Sequence, residues 1–380
     1  MNLFDSKERK LEGPASHLID TYSYFDKSAR EDVGKVRDDL EDWFAKFPDA
    51  GKKELKSQFK ATFSSSFFEL YLHEIFHRLG FTLTVHPDIP GTNKHPDFLA
   101  EGHGVGFYIE AREATDTTFD ERKEKKRLGA LYEALDHMHS PNHFIRISKV
   151  LFKSTTNQPS NKKIAKHFEA ILAQLDPEQL QQQLDQGGFR AIPTFYYEDD
   201  LARVEISPIP KSKEGRNKPE LRTIGMYSSE PQWMAKDVSI KNAIKNKASR
   251  YGVLDKPYIV CVNATGTIGI DDHEIQNALF GSLSIEYNVG APIPDERWVR
   301  QKDGIFRGSN GAQHTRLSGV FVTNANPGTY RTADHRLILH PAAALPIAAD
   351  LIGLSYQQAI NSKLEKITGK SLADILNRIS

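Results

Sequence analysis

One cysteine in 380 residues, Cys261, excludes an intramolecular disulfide, and a lone thiol cannot assemble a zinc ribbon or an iron–sulfur framework. Its neighbours Tyr258, Ile259, Val260 and Val262 are apolar, so the thiol is expected to be buried, and a reducing cytoplasm is the expected compartment. Charge of one sign is not in excess: 50 Lys and Arg balance 50 Asp and Glu, so the whole molecule offers phosphate no net attraction and any nucleic-acid contact must come from local patches. No run approaches the ~18 consecutive apolar residues of a membrane span, and the first thirty residues are charged, without the apolar centre of a signal peptide. There is no internal repeat and no low-complexity run. With 26% charged and 39% hydrophobic residues, the composition is that of a folded chain, long enough for two ordinary domains or one elaborated one.

Hydrophobic spacing predicts the elements. Val33, Val36, Leu40, Trp43, Phe44 and Phe47 predict a helix over 28–47, ended by Pro48. A stronger helix spans 63–79, with Phe68, Leu72, Ile75, Phe76 and Leu79 on one face and Gly80 as its stop. Strands follow at 81–86, 97–101 and 105–112, then a charged helix at 120–139 and a strand at 143–150. Beyond lie a helix at 161–175, strands at 192–197 and 203–209, and a polar loop at 211–219 that is the best linker. The remainder reads as a basic helix at 238–251, an apolar strand at 258–262, an irregular Gly/Pro-rich region to about 313, a strand at 317–323 and two helices from 342 onward. The expected class is α/β: a helical extension over 1–60, a core over 61–210, and an α/β extension over 220–380 that either continues the same sheet or forms its own.

The hairpin yields the sharpest geometric expectation. A tight turn with His103 and Gly104 as its two loop residues places Asp97 directly opposite Glu110. Opposed residues have Cβ atoms about 4.5–5.5 Å apart, and two like charges there destabilise a sheet unless something offsets them. A divalent cation would, and carboxylate oxygens suit Mg²⁺ or Mn²⁺. Alternation puts Tyr108, Glu110 and Arg112 on one face, with Arg112 a cation two residues past the carboxylate, able to hold a phosphate. The alternative is an exposed hairpin whose charges merely pair in solvent.

The succession Phe67-Phe68-Glu69-Leu70-Tyr71-Leu72, Leu79-Gly80-Phe81, His95-Pro96-Asp97-Phe98-Leu99 and Phe107-Tyr108-Ile109-Glu110-Ala111-Arg112 resembles the PD-(D/E)xK nuclease superfamily, the restriction-endonuclease-like fold. The resemblance covers about residues 63–150. It implies a metal-dependent endonuclease acting on DNA, with RNA as the alternative polymer, and by analogy a role in restriction and defence or in repair. Position by position it implies Glu69 as the helix carboxylate completing a Mg²⁺ or Mn²⁺ site, Asp97 as the central ligand and Glu110 as the second. Arg112 stands where the family has Lys. Arg cannot act as a base, so phosphate binding survives the exchange better than base catalysis, and a fold that binds nucleic acid without cutting it is a competing expectation. Lys123, Lys126 and Arg127 in one helix, and Lys241 and Lys245 with Lys247 and Arg250 in another, are candidate phosphate contacts, against the alternative of solvated helix faces. The pattern leaves room for a homodimer or a partner subunit.

A rival motif lies on the same helix. His73-Glu74-Ile75-Phe76-His77 matches HExxH, the zinc-metallopeptidase signature, in which two histidines share Zn²⁺ and the Glu activates water. The extended form fails because its third ligand position is Leu83, which leaves His86 or Glu110 as third ligands. His73 and His77 lie off the apolar arc, in one stripe with Glu69, and are expected to avoid the core. The glycine-rich stretch Gly304–Gly311 lacks the Lys and Ser/Thr of a P-loop.

Overall fold

A computed structural model describes the chain except for residues 115–118, 219–220, 228–235, 266–270, 288–295, 362 and 378–380. Four helices, α1 (Thr21–Lys27), α2 (Glu31–Lys46), α3 (Asp49–Ala61) and α4 (Phe63–Arg78), lead into β1 (Thr82–Val85), β2 (Phe98–Gly102) and β3 (Val105–Glu113). Next come α5 (Phe119–Asp136), β4 (His143–Phe152), α6 (Asn161–Leu172), α7 (Pro177–Gly187), β5 (Phe195–Glu198), β6 (Ala202–Pro210) and β7 (Ile224–Tyr227). They are followed by α8 (Lys236–Ala248), β8 (Tyr258–Asn263), α9 (Asp272–Phe280), the ribbon β9 (Leu283–Tyr287) and β10 (Glu296–Arg300), and the two-residue strands β11 (Arg307–Gly308) and β12 (Gly311–Ala312). The chain closes with β13 (Gly319–Thr323), β14 (His335–Leu339), α10 (Ala349–Ile352), β15 (Tyr356–Ile360), β16 (Lys363–Ile367) and α11 (Leu372–Leu376). None of the described helices is long and apolar enough to cross a membrane.

The chain divides into two units, one of residues 1–13, 21–116 and 235–380, the other of 14–20 and 117–234. The first is built on a mixed sheet in the order β1-β2-β3-β8-β13-β14-β15-β16. β3, β8 and β13 run parallel at its centre. One face packs against α1–α4, α10 and α11, joining Phe76, Phe107, Ile109, Cys261 and Phe321 in one core, with the Cys261 thiol fully buried. The other face packs against α8 and α9, joining Tyr108, Ile244, Val260, Val262 and Leu279. In the second unit a sheet ordered β5-β6-β4-β7 packs Ile145, Ile147, Val204 and Ile206 against Leu131, Leu135, Ile164 and Phe168 of α5 and α6.

Four expectations are corrected here. The strand at 143–150, expected in one core with the hairpin, lies as β4 in the sheet of the second unit, and β8 takes the place next to β3. The reason is in the residues. Tyr258–Asn263 is buried at every position and suits a central strand covered on both faces, whereas β4 alternates between buried and part-exposed residues and suits a sheet covered on one. The compact unit that holds Asp97 and Glu110 therefore takes in the N-terminal helices and residues 235–380 and leaves out 117–210, unlike the 61–210 core expected from the sequence. The C-terminal stretch is not two helices either: short α10 and α11 flank the β15–β16 hairpin, because the free edge of β14 offers Tyr356 and Gln357 a parallel partner. Finally, α4 is buried nearly all round by α2, α3, α11 and the sheet, so His73, expected off the core, is 2% exposed.

Candidate functional site

The β2–β3 turn is a two-residue loop with His103 at φ 51 and Gly104 at φ 78, the left-handed pair that a tight hairpin of right-twisted strands requires. It sets the register Gly102↔Val105 through Phe98↔Ile109. Asp97 stands immediately before β2, one step past the last ladder pair, level with Glu110. Its side chain accepts the Ala111 backbone N–H at 2.6 Å, which fixes the carboxylate at the point where the ladder ends.

Glu110 is 1% exposed and points to the α8 side of the sheet. Its Oε1 is ion-paired with the Nζ of Lys247, a lysine itself only 8% exposed, and the Arg250 guanidinium lies 3.8 Å away. Its Oε2 accepts from the Tyr251 hydroxyl, which also lies 3.0 Å from the His95 carbonyl. Burial, the nearby Glu110 carboxylate and that hydrogen bond push the Tyr251 phenol well above its ordinary value, so it stays a donor. An unpaired buried charge is costly, which is why a carboxylate this deep comes with a buried cation and a phenol.

Glu69, on the second turn of α4, feels the charge of both acids. Burial first, then the charges of Asp97, Glu54 and Glu110, raise its carboxyl to about 8. Asp97 is raised to about 7 by burial and Glu110, against the opposing pull of the Ala111 N–H, Lys247 and Arg250. Both acids thus hold protons near neutrality, first because burial disfavours the charged form and second because neighbouring carboxylates add negative charge. Among the described residues, no three His, Cys, Asp or Glu side chains stand arranged as a ready metal-ligand group, and both Glu110 oxygens already have partners. Carboxylate oxygens are nevertheless the donor type that suits a hard divalent cation, and burial together with neighbouring acids holds Glu69 and Asp97 above their ordinary values.

Of the residues singled out from the sequence, Asp97 and Glu110 stand level at the end of the β2–β3 ladder, Glu69 lies on α4 near enough for their charge to act on it, and Arg112 is exposed on the strand. Lys247, expected as a phosphate contact on a basic helix face, is instead buried against Glu110, and Tyr251 and Glu54 are the residues missed. The signal for the burial of Lys247 was present: Ile240, Ile244, Lys247 and Tyr251 recur at helical spacing, so Lys247 lies inside the buried stripe of α8 and requires a buried acid.

The other basic candidates are spoken for to different degrees. Arg127, in the second unit, donates to the Ser154 and Asn157 carbonyls at 2.7 and 2.8 Å and stacks on Phe152, a clamp on its own loop. Lys123 and Lys126 are exposed on the same helix. Lys241 pairs with Asp303 at 3.1 Å, and Lys245 is exposed.

Of the HExxH residues, His73 and Glu74 are buried and His77 is exposed. Glu74, fully buried, accepts from Arg78 Nε at 2.5 Å and lies 3.5 Å from Lys46 Nζ, both through Oε1. His73 packs between Phe47 and Phe98, with ring centroids at 4.8 and 6.1 Å, and burial lowers its imidazole to about 3. His86 faces Glu54 at 3.8 Å. Glu74→Gln is therefore expected to cost about 3 kcal/mol in denaturant unfolding, through loss of a buried ion pair, and to leave the zinc content of the purified protein unchanged.

Comparison of the chain with family models, with curated proteins and with solved structures gave no match.

Proposed function

We propose that the first unit is a restriction-endonuclease-like nuclease that hydrolyses phosphodiester bonds in DNA with Mg²⁺ or Mn²⁺, and that Lys247 supplies the cation for which Arg112 stands in the motif. The observation carrying this reading is the convergence of Asp97, Glu110 and the buried Lys247 ammonium at one point beside the end of the β2–β3 ladder. An acidic pair and one buried cation is what in-line attack on a phosphodiester needs: carboxylates to hold a metal and a fixed positive charge where negative charge grows.

The roles follow from placement. Asp97, held by the Ala111 N–H, and Glu110 would be the ligands, with Glu69 the third carboxylate. Bound there, the ion would supply Lewis-acid stabilisation and a more acidic water. Tyr251 donates to Glu110 and keeps one of its oxygens oriented. Lys247, the ion-pair partner of Glu110, would donate to a phosphate oxygen, and Arg250 would extend positive charge outward. A site built this way answers the difficulty raised by Arg112, because a lysine is present, carried by a different element.

The test is cleavage of supercoiled plasmid and of linear DNA with Mg²⁺ or Mn²⁺ against an EDTA control. Lys247→Met is expected to lower the rate by about 10²-fold, with partial recovery in Lys247→Arg, while Arg112→Ala stays within a few-fold of the parent. Cutting by the parent that survives Lys247→Met at the full rate overturns the assignment. A parent that binds DNA and cuts neither DNA nor RNA marks the unit as a binding module of the same fold.

A further inference from the structure

Beside the acidic group, the end of α8 leads into a cleft with a different chemistry. Tyr251, which holds Glu110, is followed by Gly252, Val253 and Leu254, and these line a cleft of about 380 Å³ together with Arg316, Ala344 and Leu345. Leu254 is buried as its floor, whereas Val253 is 88% exposed, an apolar side chain with no cover. Arg316 is fixed at the wall by donating to the Gly252 carbonyl at 2.7 Å. A run of positive charge accompanies the cleft. Arg250 lies 3.8 Å from Glu110, and Lys94 donates to the Arg250 carbonyl at 3.3 Å. His314 lies within reach of both Lys245 and Arg316, whose charges add to burial in lowering its pKa. Among the described residues none of Lys94, Lys245 and Arg316 has a carboxylate within ion-pair distance, in contrast to Lys241, which Asp303 neutralises.

We infer that this cleft is a base-binding slot for single-stranded nucleic acid: the phosphates of the strand follow Arg250, Arg316 and Lys245, and one base leaves the stack to lie against Val253 and Leu254. Resting on the nuclease reading, it narrows the substrate class to single strands or frayed ends. The argument is one of complementarity. A nucleotide strand joins an apolar face to a negative backbone, and the surface pairs an exposed apolar wall with cations over the same few residues, of which Arg316 and Lys245 have no carboxylate within ion-pair distance among the described residues while Arg250 shares Glu110 with Lys247. A stacked duplex keeps its bases inside and has nothing to place against Val253.

Fluorescence anisotropy in EDTA, where no cleavage competes, reads binding of a labelled single strand of about 12 nucleotides, the same strand made abasic, and the corresponding duplex. The intact strand is expected to bind about tenfold more tightly than either of the others. Arg316→Ala should weaken it by about tenfold and reduce the slope of log affinity against log salt by about 0.7. Val253→Asp, at a position exposed enough to leave folding alone, should erase the preference for intact over abasic strand. Equal affinity for intact and abasic strands, tighter binding of the duplex, no binding at all, or parental behaviour of both variants overturns the slot. Loss of strand selectivity beside intact metal-dependent cleavage removes the slot alone, whereas selective binding without cleavage by the parent removes the nuclease reading alone.

Discussion

Asp97→Asn and Glu110→Gln are both expected to abolish cleavage, by about 10³-fold or more, yet to differ in stability. Each exchange removes a negative oxygen from the convergence point without changing side-chain volume. Asp97 is already half-neutral near pH 7, and an amide oxygen can still accept the Ala111 N–H, so Asn should be neutral or mildly stabilising. Glu110 carries its charge against the buried Lys247 ammonium, and Gln there leaves that ammonium without its nearest acid, at a cost of about 3 kcal/mol. Cleavage assays on folded protein, with denaturant curves alongside, test both halves. An Asp97→Asn protein that folds normally and cuts at the parental rate would end the proposal for this site.

The second large effect is on stability against pH in EDTA. The Glu69 carboxyl is raised from 4.5 to about 8 by folding. Below pH 4.5 it is protonated in both states and contributes nothing to the difference. Between 4.5 and 8 the unfolded chain ionises it while the folded chain keeps the proton, so the folded state binds more protons and stability falls as pH rises; above 8 the penalty is complete. Asp97 acts in the same direction up to about 7. The metal-free parent should therefore lose on the order of 2 kcal/mol between pH 5 and 8 through this group, and Glu69→Gln should recover most of it at pH 8 and little at pH 5. Adding Mn²⁺ to the parent at pH 8 should raise the melting temperature by several degrees, since an ion that binds only the folded state stabilises it by mass action, and the rise should vanish in Asp97→Asn. A pH-independent effect of Glu69→Gln, or a Mn²⁺ response unchanged in Asp97→Asn, would separate these acids from one another and from the metal.

How much of this could be read from the letters divides along the range of the forces involved. The α4 helix with its Gly80 stop, the three strands after it and the opposition of Asp97 and Glu110 were all legible, because each depends on residues a few positions apart: a 3.6-residue period, a two-residue turn, an alternation of faces. The burial of His73 was not. Its helix shows one clear apolar arc, but α2, α3 and α11 cover the remaining sides, and nothing local announces that three other helices will arrive. The strand at 143–150 is legible as a strand, but its place in the second unit, outside the core of the hairpin, is not, for the same reason. Which strand pairs with β3 is decided by a competition among distant segments for a site covered on both faces, and β8 wins because every one of its side chains can be buried.

By itself, then, the sequence determined a hairpin that brings two carboxylates face to face, since the left-handed pair His103–Gly104 leaves the chain one register and short-range sterics enforce it. The tertiary structure alone decided which cation answers them. Lys247 lies 137 residues from Glu110, and the two meet only because β8 docks beside β3 and carries α8 over that face of the sheet, where a buried ammonium and a buried carboxylate are each too costly to leave unpaired.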